Sequence, residues 1–364
     1  MYVCYDYQIF ALQSVGGISR YFVELASRLS HYSKDLKISV IAPLHINEHL
    51  GESSIHTIGK KISQFPGKHY FLPNINHAAS SVILKRLQPD IFHETYFASR
   101  FQKTTAPRIL TVYDMIHEQF PDRFSGPDQK IPAHKAAAVS RADHIIAISN
   151  NTRADLVNYL SVPEDKITVI PLASSFAHPP ESAAIHVHEK PFLLYVGLRQ
   201  GVKNFNALLN AYACSDILRK SFDLICIGGG EFTFDELQTL REKNLFGKVH
   251  QLPADDKNLA LFYAGATLFI YPSIYEGFGL PLLEAMRSGC PVVCSNTSSM
   301  PEIAGEAAKY FNPHDVEEMQ TIIEDTALSE TDRNSLREKG FIREKLFSWE
   351  SCVTKTVNLY SSIL

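Results

Sequence analysis

Short runs rich in β-branched and aromatic residues alternate with helix-length amphipathic segments from one end of the chain to the other. That alternation is the pattern of parallel sheets built from right-handed βαβ units. Strands are expected near residues 2–5, 37–42, 90–93, 108–113, 144–148 and 167–170. Between the first two, Ile18, Phe22, Leu25, Ala26 and Leu29 form one stripe of helical period. The pattern then stops from Ala173 to Pro191, where Ser174, Ser175, Pro179, Pro180, Ser182 and three histidines show no sustained periodicity. A linker is expected there. A second series follows, with strands near 192–196, 222–227, 248–252, 266–271, 291–294 and 308–311, and the chain closes on a helix-like stretch from Trp349 to Leu364. At 364 residues the chain exceeds what one hydrophobic core usually supports. The expected fold class is therefore α/β, with two Rossmann-like, doubly wound domains facing one another across a cleft, at 1–178 and 190–346.

The remaining bulk properties mostly exclude. With 45% apolar and 20% charged residues the chain reads as an ordinary globular protein. The start, Met1 to Tyr5, goes straight into a strand-like run without the pattern of a secretory signal. Apolar runs such as 145–148 and 192–196 are far shorter than the roughly 20 residues a membrane span needs. A cytoplasmic protein is the expectation, with Cys4, Cys214, Cys226, Cys290, Cys294 and Cys352 as buried, reduced thiols and no zinc among them, since no CxxC pair is present. Residues 1–180 carry 18 Lys and Arg against 15 Asp and Glu, and the remainder 17 against 24. The basic first half fits contact with an anionic membrane surface or a phosphate-bearing acceptor, and it fits plain scatter of surface charge equally well.

In open parallel sheets, ligands bind where βα loops and helix starts converge at the carboxyl ends of the strands. Gly and polar clusters follow the expected strand ends repeatedly, at Gly16-Gly17, Asp114 to His117, Ser149-Asn150, Gly197 to Lys203, Gly228 to Glu231, Ser273 to Gly279 and Ser295 to Ser299. The densest is Tyr271 to Met286, in which Gly277 and Gly279 permit close approach of backbone to a ligand and Pro281 suits a first helical turn. Amides of Phe278, Gly279 and Leu280 at such a helix start would face an anion. Glu284 then suits sugar or ribose hydroxyls, with Glu276 on the loop before it; as isolated residues they are equally well two solvated glutamates, with Glu284 near the helix dipole. Arg199 and Lys203, four apart beyond a strand, could hold a diphosphate and stabilise it as it leaves, or form a solvated turn. Neither a Walker A string nor a full GxGxxG fingerprint is present.

The strings Tyr275-Glu-Gly-Phe-Gly-Leu-Pro281 with Glu284, an EX7E motif, and Ser298-Ser-Met-Pro-Glu-Ile-Ala-Gly305 resemble the retaining GT-B glycosyltransferases of family 4, over essentially the whole length. Gln13 to Phe22 and Leu198 to Phe205 resemble that family's N-terminal glycine loop and its Arg-and-Lys diphosphate clamp. The resemblance implies a metal-independent enzyme with a nucleotide-sugar donor and no further cofactor. It implies that Glu276 meets a donor-sugar hydroxyl, that Phe278 to Leu280 meet sugar and phosphate, and that Glu284 meets the ribose. It places Gly16 and Gly17 at the diphosphate, Gly229 and Leu252 around the base, and Arg199 and Lys203 on the leaving group. The final helix, about 347–364, is implied to return to the first domain. The acceptor would be a glycan or lipid-linked glycan in cell-surface polysaccharide or lipopolysaccharide synthesis, with peripheral membrane contact an option and nucleic acid not a partner. GDP-mannose is favoured because the Gly-Gly-Ile-Ser-Arg-Tyr and Val-Lys-Asn-Phe strings look like those of polysaccharide mannosyltransferases, with UDP-sugars as the alternative.

One position departs from the family pattern: Tyr113 stands where many members carry a histidine before the aspartate, here Asp114. Asp114 is expected as a catalytic-site residue or else a structural cap, and His117 as a substitute sugar contact or an ordinary loop residue. Two rival readings are a sugar-nucleotide epimerase of the same plan and a non-catalytic nucleotide-sugar-binding subunit.

Overall fold

The computed structural model describes residues 1–63, 67–98, 100–176 and 187–364. Most of the expected linker, residues 177–186, lies outside them. The described chain divides into two compact units, Met1–Leu172 with Trp349–Leu364, and Ala173–Ser348.

The first unit holds the parallel strands β1 (Tyr2–Tyr5), β2 (Lys37–His45), β3 (Thr57–Lys61), β4 (Ile91–Glu94), β5 (Arg108–Val112), β6 (His144–Ala147) and β7 (Ile167–Val169). Their order is β3-β2-β1-β4-β5-β6-β7. The second holds β8 (Phe192–Val196), β9 (Asp223–Ile227), β10 (Val249–Leu252), β11 (Leu268–Tyr271), β12 (Val292–Ser295) and β13 (Ala308–Phe311), in the order β10-β9-β8-β11-β12-β13. Each sheet is doubly wound, so each has a switch point where the strand order reverses, between β1 and β4 and between β8 and β11. Loops diverge there and leave a crevice at the carboxyl edge.

Among the described residues, β3 is the one strand absent from the sequence reading. Thr57 to Lys61 lies at the sheet edge with its last three residues exposed, so no alternation of apolar residues betrays it. Its close fit depends on Gly59, where a Cβ would meet the Ala42 carbonyl oxygen at 1.7 Å, beside a shift of register between Ala42 and Leu44.

The central strands are buried on both faces, as parallel strands covered by helices must be. In the first unit the helix Gly17–Tyr32 buries Tyr21, Phe22, Leu25, Ala26 and Leu29, close to the expected stripe, while Ile18 is only half-buried. The helix Trp349–Ile363 packs here. A buried polar chain ties it down: the Tyr5 and Tyr360 hydroxyls lie 2.9 Å apart, the Tyr360 hydroxyl is 2.7 Å from His93 Nδ1, and His93 Nε2 is 2.9 Å from Thr111 Oγ1. Trp349 stacks on Tyr21 at 6.0 Å, with the Arg28 guanidinium 4.6 Å from its ring. In the second unit Leu193, Tyr195, Leu208, Tyr212, Leu224, Leu268, Ile270 and Val293 lie in one buried cluster. Five of the six cysteines are buried; Cys214, which ends the helix Phe205–Cys214, is exposed, contrary to the expectation for all six. Among the described residues, no helix is long and apolar enough to cross a membrane.

Candidate active site

In the second unit the loops that follow β8 and β11 flank the switch point, and they carry Lys203 and Glu276. Their side chains meet: Lys203 Nζ donates to Glu276 Oε1 at 2.6 Å and lies 5.7 Å from the centre of the Tyr271 ring. The two loops are also joined through backbone, Ile274 N–H donating to the Val202 carbonyl at 2.7 Å. The Tyr271 phenol is held well above its usual value, first by burial and then by the charge of Glu276. A cation, a carboxylate and a neutral phenol thus converge where a ligand enters the crevice.

Beyond Glu276 the chain turns sharply into the helix Leu280–Arg287. Gly279, at φ 102°, forms its N-cap in a backbone conformation that an L side chain resists, and no cap side chain bonds to the first turn. The helix dipole and the amides of Phe278, Gly279 and Leu280 around this helix start are therefore available to an anion. Ser298 and Ser299, after β12, pin this turn from behind. Both hydroxyls donate to the Glu276 carbonyl, at 2.6 and 2.8 Å, and Ser299 Oγ is also 2.8 Å from the Phe278 carbonyl. These serines were legible in the sequence as part of a motif, but their work as a buttress was not. Glu284 is half-buried one turn into the helix and accepts from the Tyr263 hydroxyl at 3.2 Å.

Arg199 and Lys203, read together as a cation pair, are committed to different partners. The Arg199 side chain is 2% exposed and turned under the glycine-rich loop after β9. Its Nε donates to Glu236 Oε1 at 2.7 Å, Nη1 to the Gly228 carbonyl at 2.6 Å and Nη2 to the Glu231 carbonyl at 2.9 Å. Three successive glycines, Gly228 to Gly230, have positive φ, and a Cβ on Gly229 would meet Arg199 Nη1 at 2.9 Å. In this arrangement Arg199 shapes the loop. Contact with a diphosphate would require it to leave Glu236. Glu236, which also closes a capping box with Thr233, went unnoticed in the sequence because helix-start glutamates are common. Leu252 ends β10, next to β9, on the same edge.

In the first unit Gly16 caps the helix Gly17–Tyr32. Its first turn is partly satisfied already, since Ser19 N–H donates to Gln13 Oε1 at 3.2 Å; a Cβ on Gly16 would collide with that Gln13 side chain, whereas Gly17 faces open space. Asp114 follows β5: its Oδ1 accepts from Ile116 N–H at 3.1 Å and is 3.7 Å from the wholly buried Lys135 Nζ. Tyr113 is buried and donates to the Thr95 carbonyl at 3.2 Å, so its hydroxyl is engaged inside the unit. His117 stacks on Phe124 at 4.1 Å and lines a pocket of about 420 Å³ with Pro121, Asp122, Asp128, Gln129 and Pro132. Burial lowers its pKa, against the pull of Asp114.

The first unit's switch point has its own buried carboxylate, Asp6, which the sequence reading passed over because one Asp after a strand carries no pattern. Its Oδ1 accepts from Thr95 N–H at 3.0 Å and Thr95 Oγ1 at 2.5 Å, joining the loops after β1 and β4. Burial, then the charge of Glu94, raise its pKa to about 6. Because the folded-state pKa is raised, the group costs nothing below its unfolded value near 4, and destabilises increasingly as pH rises to about 6. Asp6→Asn should therefore gain on the wild type by on the order of 3 kcal/mol between pH 4 and pH 7, with Gln8 Oε1, buried and unpartnered, as a ready acceptor for the new amide. Urea denaturation at the two pH values checks this, and a pH-independent difference would show that Asp6 titrates normally.

Residues 15–173 match Glycosyltransferase Family 4, and residues 177–343 match Glycosyl transferases group 1. The chain is 35% identical, over 61% of its length, to O-antigen chain mannosyltransferase B of Escherichia coli, and 24% identical, over 79%, to the serotype-specific mannosyltransferase WbdA of Escherichia coli. It spans 61% and 38% of the lengths of these relatives. The sucrose-phosphate synthase of Thermosynechococcus elongatus has the same fold, at a TM-score of 0.79 with 20% identity, covering 100% of this chain and 98% of that one. The chain belongs to the family 4, group 1 glycosyltransferases of GT-B fold.

Proposed function

We propose that the chain is a retaining hexosyltransferase that moves mannose from GDP-mannose to a hydroxyl of a glycan or lipid-linked glycan, in cell-surface polysaccharide or lipopolysaccharide synthesis, without a metal ion. The observation that carries the reading is the Lys203–Glu276 pair at the switch point of the second sheet, beside a helix start that no cap side chain satisfies. The mannose assignment rests on the named activity of the Escherichia coli relatives.

On this reading the donor diphosphate draws Lys203 Nζ and the amides of Phe278 to Leu280, which releases Glu276 to accept from a sugar hydroxyl. Glu284 takes the ribose hydroxyls, and the Gly229 loop and Leu252 frame the base. The acceptor oxygen attacks the anomeric carbon on the face from which the phosphate oxygen departs. The glycosidic bond forms as the carbon–phosphate-oxygen bond breaks, and the acceptor proton passes to a phosphate oxygen of the leaving nucleoside diphosphate. Lys203 and the helix start stabilise the charge that develops there, the role a divalent cation fills in other enzymes. Arg199 acts by holding the glycine loop, and Asp114 by shaping the loop after β5.

Acceptor-dependent release of nucleoside diphosphate should be followed with GDP-mannose and with UDP-sugars, with and without a chelator, and the anomeric configuration of the product read by NMR. Release of GDP from GDP-mannose, undiminished by chelator and giving an α-linked product, is expected. Preference for a UDP-sugar would overturn the base assignment, an inverted product the retaining one, and a Mn²⁺ or Mg²⁺ requirement the metal-free one.

A further inference from the structure

The amino ends of β8, β9 and β10, at the opposite edge of the sheet from the glycine loops, gather a second set of reactive side chains. Asp223 opens β9, and His250 on β10 pairs in register with Ile225, two residues further along. Alternate residues of a strand share a face, and register partners do too, so Asp223 and His250 project to the same side. His188 comes in from the segment just before β8. Its Nε2 lies 2.9 Å from Asp223 Oδ2, and His250 Nε2 lies 3.4 Å from the same oxygen. One ligand atom from each of the three lies within 4.8 Å of the others.

Two observations mark this as more than a surface ion cluster. Asp223 is 4% exposed, yet its Oδ1 has no hydrogen-bond partner, and His250 Nε2 is buried with nothing but the 3.4 Å approach of Asp223 Oδ2, which is not aligned as a hydrogen bond. Buried polar atoms left in this way carry an uncompensated desolvation penalty unless something else binds them. The nearest charge to Oδ1, Lys190 Nζ at 3.9 Å, belongs to a mostly exposed side chain with room to move into solvent.

We propose that His188, Asp223 and His250 bind one divalent transition-metal ion, Zn²⁺ by preference, which pins the segment entering β8 to the base of the second sheet. Two imidazole nitrogens and one carboxylate are a borderline-soft donor set that suits Zn²⁺, with water as fourth ligand, and suits Mg²⁺ or Ca²⁺ poorly. Tetrahedral bonds of about 2.0–2.1 Å place ligand atoms about 3.4 Å apart, so the widest separation must contract and the 2.9 Å contact of His188 with Asp223 must open. Rotation of the two histidine side chains supplies this. The site is structural, and its residues are not those assigned to glycosyl transfer.

The full chain, stripped of metal, should be titrated with Co²⁺ as a visible-absorption probe, then with Zn²⁺, while thermal unfolding is followed in parallel. Tetrahedral Co²⁺ bands saturating at one equivalent are expected, with displacement by Zn²⁺ and a melting temperature raised by a few degrees. In His188→Ala, a change outside the strands, the bands should vanish and affinity should fall at least about tenfold, as for loss of one ligand set in a linked equilibrium. Chelator should lower the melting temperature of the wild type without altering turnover per folded molecule. Bands and stabilisation that persist in a His188→Ala/His250→Ala variant, or no binding at about tenfold excess of metal, would overturn the proposal.

Discussion

Lys203→Ala is expected to lower turnover by about 10²–10³-fold, the scale for removing one donor that stabilises charge developing in a transition state, and to leave the melting temperature almost unchanged. The Lys203 side chain is part-exposed and touches only Glu276 and the Tyr271 ring among its described contacts, so little of the fold depends on it. Its loss should fall mainly on kcat, because the diphosphate gains negative charge only as the glycosidic bond breaks. Lys203→Arg keeps the charge but not the shape, and should recover part of the loss. Arg199→Ala should behave differently. Its guanidinium bridges Glu236 and the carbonyls of Gly228 and Glu231, so removal should lower the melting temperature and raise the nucleotide KM before it lowers kcat. Steady-state nucleotide release with both variants separates the two roles. An unaltered kcat in Lys203→Ala would remove the cation from the mechanism, whereas equal kcat losses in both, with equal stabilities, would restore a paired clamp.

The contrast between these two residues shows how far the sequence reached. Spacing and residue type placed Arg199 and Lys203 in one loop after a strand, but which way each side chain turns depends on Glu236, a residue 37 positions downstream of Arg199. No local pattern encodes that meeting. The βα alternation carried most of the strands because parallel strands buried on both faces must be apolar throughout, and it missed β3, whose edge position asks for lysines instead. The Glu276 to Pro281 string was readable because Gly279 and Pro281 are dictated by backbone geometry at one helix start. Asp6 and the His188, Asp223 and His250 cluster were not, because each joins residues from loops or strands distant in the chain.

Glu94→Ala is expected to destabilise the protein by about 3–5 kcal/mol, the range for removing one partner of a buried ion pair and stranding the other. Glu94 ends β4 at the first unit's switch point and is 1% exposed. Its carboxylate joins two cations: Arg108 Nη1 pairs with Oε1, and Arg141 Nη2 donates to Oε2 at 2.8 Å with Nε at 3.1 Å. Arg108 also donates to the Gln102 carbonyl and lies 5.3 Å from the Phe92 ring, so it cannot follow solvent outward without breaking those contacts. Two guanidiniums left facing each other across an empty site would add like-charge repulsion to the desolvation cost. A second consequence follows from Asp6, whose pKa is raised in part by Glu94. With that charge gone, Asp6 should titrate closer to an ordinary aspartate, and the pH-dependent penalty between about pH 4 and 6 should shrink. Urea denaturation of Glu94→Ala across that range reads both effects in one experiment. A loss below about 1 kcal/mol, the scale of a solvent-screened surface pair, would mean that water reaches Arg108 and Arg141 in the folded protein.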